Sequence, residues 1–159
     1  MIDILKILNT DCRLSPAQMA KMLGCTEVEV SQAMLDLENN HVILGYKAVI
    51  NWERASQEVV TALIEVRVTP QRGDGFEKIA ERIYQYPEVE SLYLMSGGYD
   101  LAVTLNGSTM KDVALFVATK LAPIDGVSGT ATHFVLKKYK ESGVLFEVNS
   151  EKQERAFLI

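Results

Sequence analysis

Long apolar runs are missing from this chain: nowhere does it reach the ~18 consecutive apolar residues of a membrane helix. The opening Met1-Ile2-Asp3-Ile4-Leu5-Lys6 is amphipathic and lacks a basic stretch followed by an apolar one, so it is not a signal peptide. The two absences point to a cytoplasmic protein with no membrane partner. Cysteine is scarce as well. Cys12 and Cys25 are the only two and form no CxxC pair, which reads as two reduced thiols rather than a disulfide or metal framework. Histidine is limited to His41 and His133, so no metal site is expected, and neither stands in a recognisable catalytic triad. A Walker loop, a dinucleotide fingerprint and an HExxH pair are all lacking, and no cofactor is implied. The sequon Asn106-Gly107-Ser108 stays unmodified in a cytoplasmic chain. Basic residues are in the minority: 16 Lys and Arg face 21 Asp and Glu, a net charge of -5. That balance excludes a protein that grips nucleic acid through bulk charge alone.

What is present is an ordinary foldable composition, 48% hydrophobic and 23% charged over 159 residues, enough for one domain or two small ones. The apolar period decides for two. Before residue 50, Ile4, Leu5 and Leu8, then Met19, Ala20 and Leu23, then Val30, Met34 and Leu37 recur at steps of three and four, the spacing of short amphipathic helices. Ser15-Pro16-Ala17-Gln18 reads as a capping box with Pro at the first helical position, and Thr26-Glu27-Val28-Glu29 repeats the box. Gly24 sits where the middle helix must stop. Helix, short turn and helix is a helix-turn-helix layout, and Val42, Ile43, Gly45 and Tyr46 to Ile50 read as a small β-wing.

After residue 58 the period falls to two, with Ala62, Ile64, Val66 and Val68 alternating against Thr61, Leu63, Glu65 and Arg67. Pro70 to Gly75 reads as a turn, and Phe76, Ile79, Ala80 and Ile83 mark a helix ending before Pro87. Val89 to Ser96 and Tyr99 to Asn106 are predicted strands joined at Gly97-Gly98. A second helix carries Val113, Phe116, Val117 and Leu121 and starts near Ser108 or Thr109. Val127 to Tyr139 is predicted as the next strand, with Val144 to Val148 as an added edge. The order βαββαβ is that of a ferredoxin-like sandwich, so the fold class is α+β: a winged helix-turn-helix domain followed by a ferredoxin-like effector and assembly domain. Its expected divisions are 1–50, a linker 51–58, the sheet domain 59–149 and a tail 150–159 that reads as an assembly contact. Helices cover one face of such a sheet. The other is expected to include Leu63, Leu92 and Leu94, which calls for a partner subunit.

Particular strings carry a family resemblance. They are Ile4-Leu5-Lys6-Ile7-Leu8, Asp11-Cys12-Arg13-Leu14-Ser15, Met19-Ala20-Lys21-Met22-Leu23-Gly24 and the stretch from Leu37 to Tyr46. In the second half they are Gly97-Gly98-Tyr99-Asp100 and Leu136-Lys137-Lys138-Tyr139-Lys140-Glu141. In this order and spacing the chain resembles the Lrp/AsnC family, the feast/famine transcription regulators. The resemblance implies DNA-binding homodimers that assemble into octamers or other rings. It also implies a small amino-acid effector bound where dimers meet.

The recognition helix is then Glu27 to Asn39, with Glu27, Glu29, Ser31, Gln32 and Ala33 facing outward, and Arg13, Lys21 and Lys47 as candidate phosphate contacts. Members of the family commonly carry an Arg where this chain has Ala33. Here the helix holds Glu27, Glu29, Asp36 and Glu38 and no base, so carboxylates aimed at the groove are repelled. Gln32 could pair with adenine. DNA affinity is therefore expected to be weak per dimer and steeply salt-dependent. For the effector, Gly97 and Gly98 could offer backbone N–H groups to a carboxylate and Asp100 could meet an ammonium. Thr130 and Thr132 would add hydroxyls, and Tyr99 completes the hairpin motif. Tyr99 could equally be packed, and Asp100 could cap the hairpin or pair with a lysine such as Lys137. Two other readings stay open: an amino-acid sensor or co-assembling partner that does not bind DNA, and an enzyme like the sirohaem decarboxylases, which resemble this family.

Overall fold

A computed structural model describes residues 2–69 and 75–146, in two compact units, Met1–Ala48 and Val49–Ile159. The first unit holds α1 (Ile2–Thr10), α2 (Pro16–Leu23) and α3 (Glu27–Asn39). Both capping boxes form: Ser15 accepts from the Gln18 amide at 3.3 Å, and Thr26 accepts from the Glu29 amide at 3.3 Å. Gly24 takes the left-handed geometry (φ 69°) that ends α2 and lets the chain turn into α3. Ile4, Leu8, Met19, Ala20, Val30 and Leu37 are buried between the three helices.

The expected wing does not form. Residues 42–50 contain no strand. The backbone is committed to closing α3 instead: His41 adopts φ 55°, and the Val42 and Ile43 amides both donate to the Leu37 carbonyl, at 2.9 and 3.1 Å. With the His41 amide on Glu38, this is a Schellman closure with histidine where glycine is usual. Tyr46 Oη then donates to Glu38 Oε1 at 2.8 Å and ties the following segment to α3.

The second unit runs β1 (Val60–Val68), α4 (Glu77–Tyr84), β2 (Val89–Leu94), β3 (Leu101–Gly107), α5 (Met110–Phe116) with a π-helical continuation Val117–Leu121, and β4 (Val127–Phe134). The sheet order is β2-β3-β1-β4, antiparallel throughout, the ferredoxin-like arrangement. Ala62, Ile64 and Val66 of β1 and Leu101, Val103 and Leu105 of β3 face Ile79, Ile83, Val113, Phe116 and Leu121 from the helices. Thr109 caps α5, as the sequence suggests. Pro70–Asp74 of the predicted turn and residues 147–159, including the tail, lie outside the described residues.

Three strand expectations are corrected. The hairpin strands stop at Leu94 and restart at Leu101, leaving a six-residue loop in place of a turn on Gly97-Gly98 alone. β4 ends at Phe134, not Tyr139. Val144–Leu145 (β6) pairs with Lys140–Glu141 (β5) as a separate hairpin, not as an edge of the main sheet. The reason lies in Ser142-Gly143, both at positive φ (47° and 83°), a two-residue turn that folds β6 straight back on β5.

The register also overturns the expected leucine face. Leu92 is paired with Val103 and Leu94 with Leu101, so both stand on the helix side. There they line, with Phe76, Ala80 and Tyr84, a groove of about 440 Å³. Only Leu63 keeps its place on the open face, 37% exposed, next to Glu65, Arg67, Tyr93, Thr104 and His133. That face is half polar. His133 Nε2 lies 3.2 Å from Glu65 Oε1, and Thr61 donates to Asn106 Oδ1 at 2.9 Å.

Candidate nucleic-acid interface and effector loop

A helix places residues 100° apart, so Val30 and Leu37 at the core turn Val28, Gln32, Leu35 and Asn39 to the opposite side. All four are exposed, Val28 to 77% and Leu35 to 52%. This outward stripe carries no charge. It differs from the predicted surface, since Ala33 packs at the core edge and Ser31 is half-buried. Counting the angle from the buried residues, instead of listing the first turn, would have found Val28, Leu35 and Asn39.

The acids of α3 are largely committed within the unit. Glu29 turns back on the helix start, where its Oε2 accepts from the Thr26 amide at 2.8 Å and the Thr26 hydroxyl at 2.7 Å. The Thr26 backbone bond and then its hydroxyl hold the Glu29 carboxyl below the usual range. Glu29 is thus a cap, not a groove contact. Asp36 accepts from Gln32 Nε2 at 3.0 Å, and Glu38 accepts from Tyr46. Desolvation, then the bond to Glu38, pushes the Tyr46 phenol up. Glu27 stays in the exposed first turn, where the positive end of the helix dipole favours an acid.

The three predicted phosphate contacts are on the same unit. Lys21 is exposed in the last turn of α2, and Lys47 is exposed after α3. Arg13 forks onto Asp11, its Nε and Nη2 each 3.1 Å from a carboxylate oxygen. That bond lowers the Asp11 pKa and raises the Arg13 pKa. A phosphate would have to compete with Asp11 for Arg13.

The effector residues are only partly gathered. Gly97 to Asp100 share the loop between β2 and β3, closed by the Met95 amide on the Asp100 carbonyl at 2.8 Å. Asp100 Oδ2 accepts from the Val68 amide at 2.7 Å, and the Asp100 amide donates to Val66. The carboxylate therefore ties the loop to the end of β1, a bond to a third strand rather than a cap on the hairpin itself. Thr130 is paired with Val66 and Thr132 with Ile64. Both stand across β1 from the loop, Thr130 about 10 Å from its end by two strand spacings and Thr132 two residues farther along the sheet. Neither Gly97 nor Gly98 has the positive φ that demands glycine, and a Cβ at either would meet nothing within 4 Å. Among the described residues nothing requires glycine there.

Among the described residues no helix is long and apolar enough to cross a membrane, and no cluster of metal-ligating side chains occurs. Comparison with known proteins decides the family. The Lrp/AsnC ligand binding domain matches residues 61–145. The chain is 49% identical over 150 residues to the uncharacterized HTH-type transcriptional regulator YugG of Bacillus subtilis, covering 94% of this chain and 90% of that one. The chain belongs to the Lrp/AsnC family. It is a transcriptional regulator and not an enzyme, which sets aside the decarboxylase reading. Among Lrp/AsnC relatives, the proline dehydrogenase transcriptional activator of Rhizobium radiobacter is 25% identical, covering 90% of this chain and 91% of that one. The fold matches that of the Neisseria meningitidis regulator NMB0573, solved as an L-Met complex. The TM-score is 0.73 at 23% identity, over 94% of this chain and 96% of that one.

Proposed function

We propose that this regulator reads DNA with α3 and changes its assembly or DNA affinity when a small amino acid binds near the Gly97–Asp100 loop. The observation that carries the DNA half is the uncharged stripe Val28, Gln32, Leu35 and Asn39, held outward by a capped helix whose Glu29, Asp36 and Glu38 are engaged within the unit. Side chains of this type meet base edges in the major groove without needing a basic helix. Arg13, Lys21 and Lys47 give at most three phosphate contacts per subunit, so affinity relies on several subunits engaging together.

The effector half is supported by the L-Met complex of the Neisseria relative and by glycines that packing among the described residues does not require. With one Asp100 oxygen taken by Val68, the loop offers its backbone N–H groups to a ligand carboxylate more readily than it offers Asp100 to an ammonium. Thr130 and Thr132, across β1, leave the pocket incomplete in one chain. We infer that a neighbouring subunit completes it, in a homodimer that assembles further into an octamer or other ring in the cytoplasm.

Selection of bound sequences from a random DNA pool, with and without amino acids, tests this reading. A reproducible motif whose recovery changes with one amino acid supports it. No enriched motif from the assembled protein favours instead a sensor or co-assembling partner that leaves DNA contact to another regulator.

A further inference from the structure

Gln32 and Asp36 lie one helical turn apart on the outward side of α3, both exposed, joined by the Gln32 Nε2 to Asp36 Oδ1 bond of 3.0 Å. A carboxamide has one acceptor oxygen and two N–H donors. Free in solution it can turn either end toward a base. If the N–H given to Asp36 is the one that points away from the amide oxygen, the side chain keeps one donor and one acceptor side by side. The orientation is fixed as well, because a carboxylate can only accept and so selects the nitrogen end.

Adenine presents N7 as an acceptor beside its N6 amino donor in the major groove, the complement of that remaining edge. Guanine presents two acceptors, N7 and O6, and would set one of them against the glutamine oxygen. The neighbours fit the same pair: Val28 and Leu35, flanking Gln32 on the stripe, offer apolar contact to a thymine methyl, and the stripe has no guanidinium or ammonium to fork onto guanine.

We propose that Gln32 is the adenine-reading residue of this regulator and that Asp36 is its positioning residue, fixing the amide so that adenine is accepted and guanine refused. The inference rests on α3 docking in the major groove. It assigns Asp36, an acid that by charge alone opposes DNA, a part in specificity.

The test measures binding of the full-length protein to a duplex carrying its selected motif and to duplexes with each A·T pair of a half-site changed to G·C. Wild type should prefer A·T at one position by about tenfold or more. Gln32→Ala should remove that preference and weaken binding to the motif. Asp36→Ala should also lose the preference, even if removing the charge raises affinity for every duplex. Asp36→Asn, whose amide can donate as well as accept, no longer selects one end of Gln32 and should keep only part of the preference. Both side chains are exposed, and unchanged helical circular dichroism checks that the variants fold. A preference untouched by Gln32→Ala overturns the assignment while leaving α3 as the reader. A preference kept in full by Asp36→Ala overturns the positioning role, leaving only a charge effect. Failure of wild type to form any specific complex overturns both this inference and the proposed function.

Discussion

Six buried residues hold the first unit together and fourteen the second, among those described. The small core explains why local chemistry matters so much more in the first. Two capping boxes, a left-handed Gly24 and a Schellman closure fix its helices, and they take up Glu29 and the backbone of His41 to Ile43. The sheet unit is held by ladders between residues distant in sequence, so its connecting loop is free of such duties except at Asp100. The difference teaches where charge and glycine should be read as structure and where as function. Glu29 and Glu38 on α3 serve the fold. Glycines at 97 and 98 meet no packing demand among the described residues.

The largest expected effect breaks the one place where the loop does serve the fold. Asp100→Ala leaves the partly buried Val68 amide without its acceptor and should cost about 1–3 kcal/mol in urea denaturation. Asp100→Asn, which keeps an acceptor, should cost much less. In the first unit, Thr26→Ala removes the α3 cap and should cost about 1 kcal/mol. The same cap gives a pH signature. Glu29 titrates below its ordinary range when folded, so its contribution is fully present at neutral pH and is lost as pH falls through and below the usual glutamate range. Thr26→Ala should flatten that part of the acid stability profile only in part, because the residue-26 amide still donates to Glu29, whereas Glu29→Gln should remove it.

Smaller and opposite in sign is His41→Gly, which relieves a side chain held at φ 55° and should raise stability by about 0.5–1 kcal/mol in thermal denaturation. The smallest effect sharpens the contrast most. Gly98→Ala meets open space without positive φ and should leave stability within about 0.5 kcal/mol, while titration calorimetry should show the amino-acid signal reduced or lost. A destabilised Gly98→Ala would return that glycine to the fold.

Much of this architecture was legible from period and punctuation. The three- and four-residue spacing gave α1 to α3, while Ser15 and Gly24 bounded α2, Thr26 started α3 and Thr109 started α5, because capping is a local interaction that sequence records directly. Strand alternation gave β1 and the βαββαβ order. What was missed depends on distant partners. The sides of Leu92 and Leu94 follow from the irregular register between Val89 and Ser91, and residues 42–50 lost their wing to a helix closure that glycine-centred rules do not flag at His41. The separate β5–β6 hairpin was announced by Ser142-Gly143. In the site, the charge of α3 was visible, but whether each acid pointed outward or inward required side-chain geometry. The effector motif identified a loop. It could not show that Asp100 holds Val68, or that β1 stands between the loop and Thr130.

The central claim, that α3 reads bases while few cations hold the backbone, is tested most directly by the salt dependence of binding to a selected operator. The account predicts a specific complex at low salt whose log affinity falls against log salt by no more than about three for each engaged subunit, the most that Arg13, Lys21 and Lys47 can contribute. The complex should also weaken sharply when assembly is restricted to a dimer. Tight, salt-insensitive binding by an isolated dimer, or no specific complex from the full assembly, would contradict it.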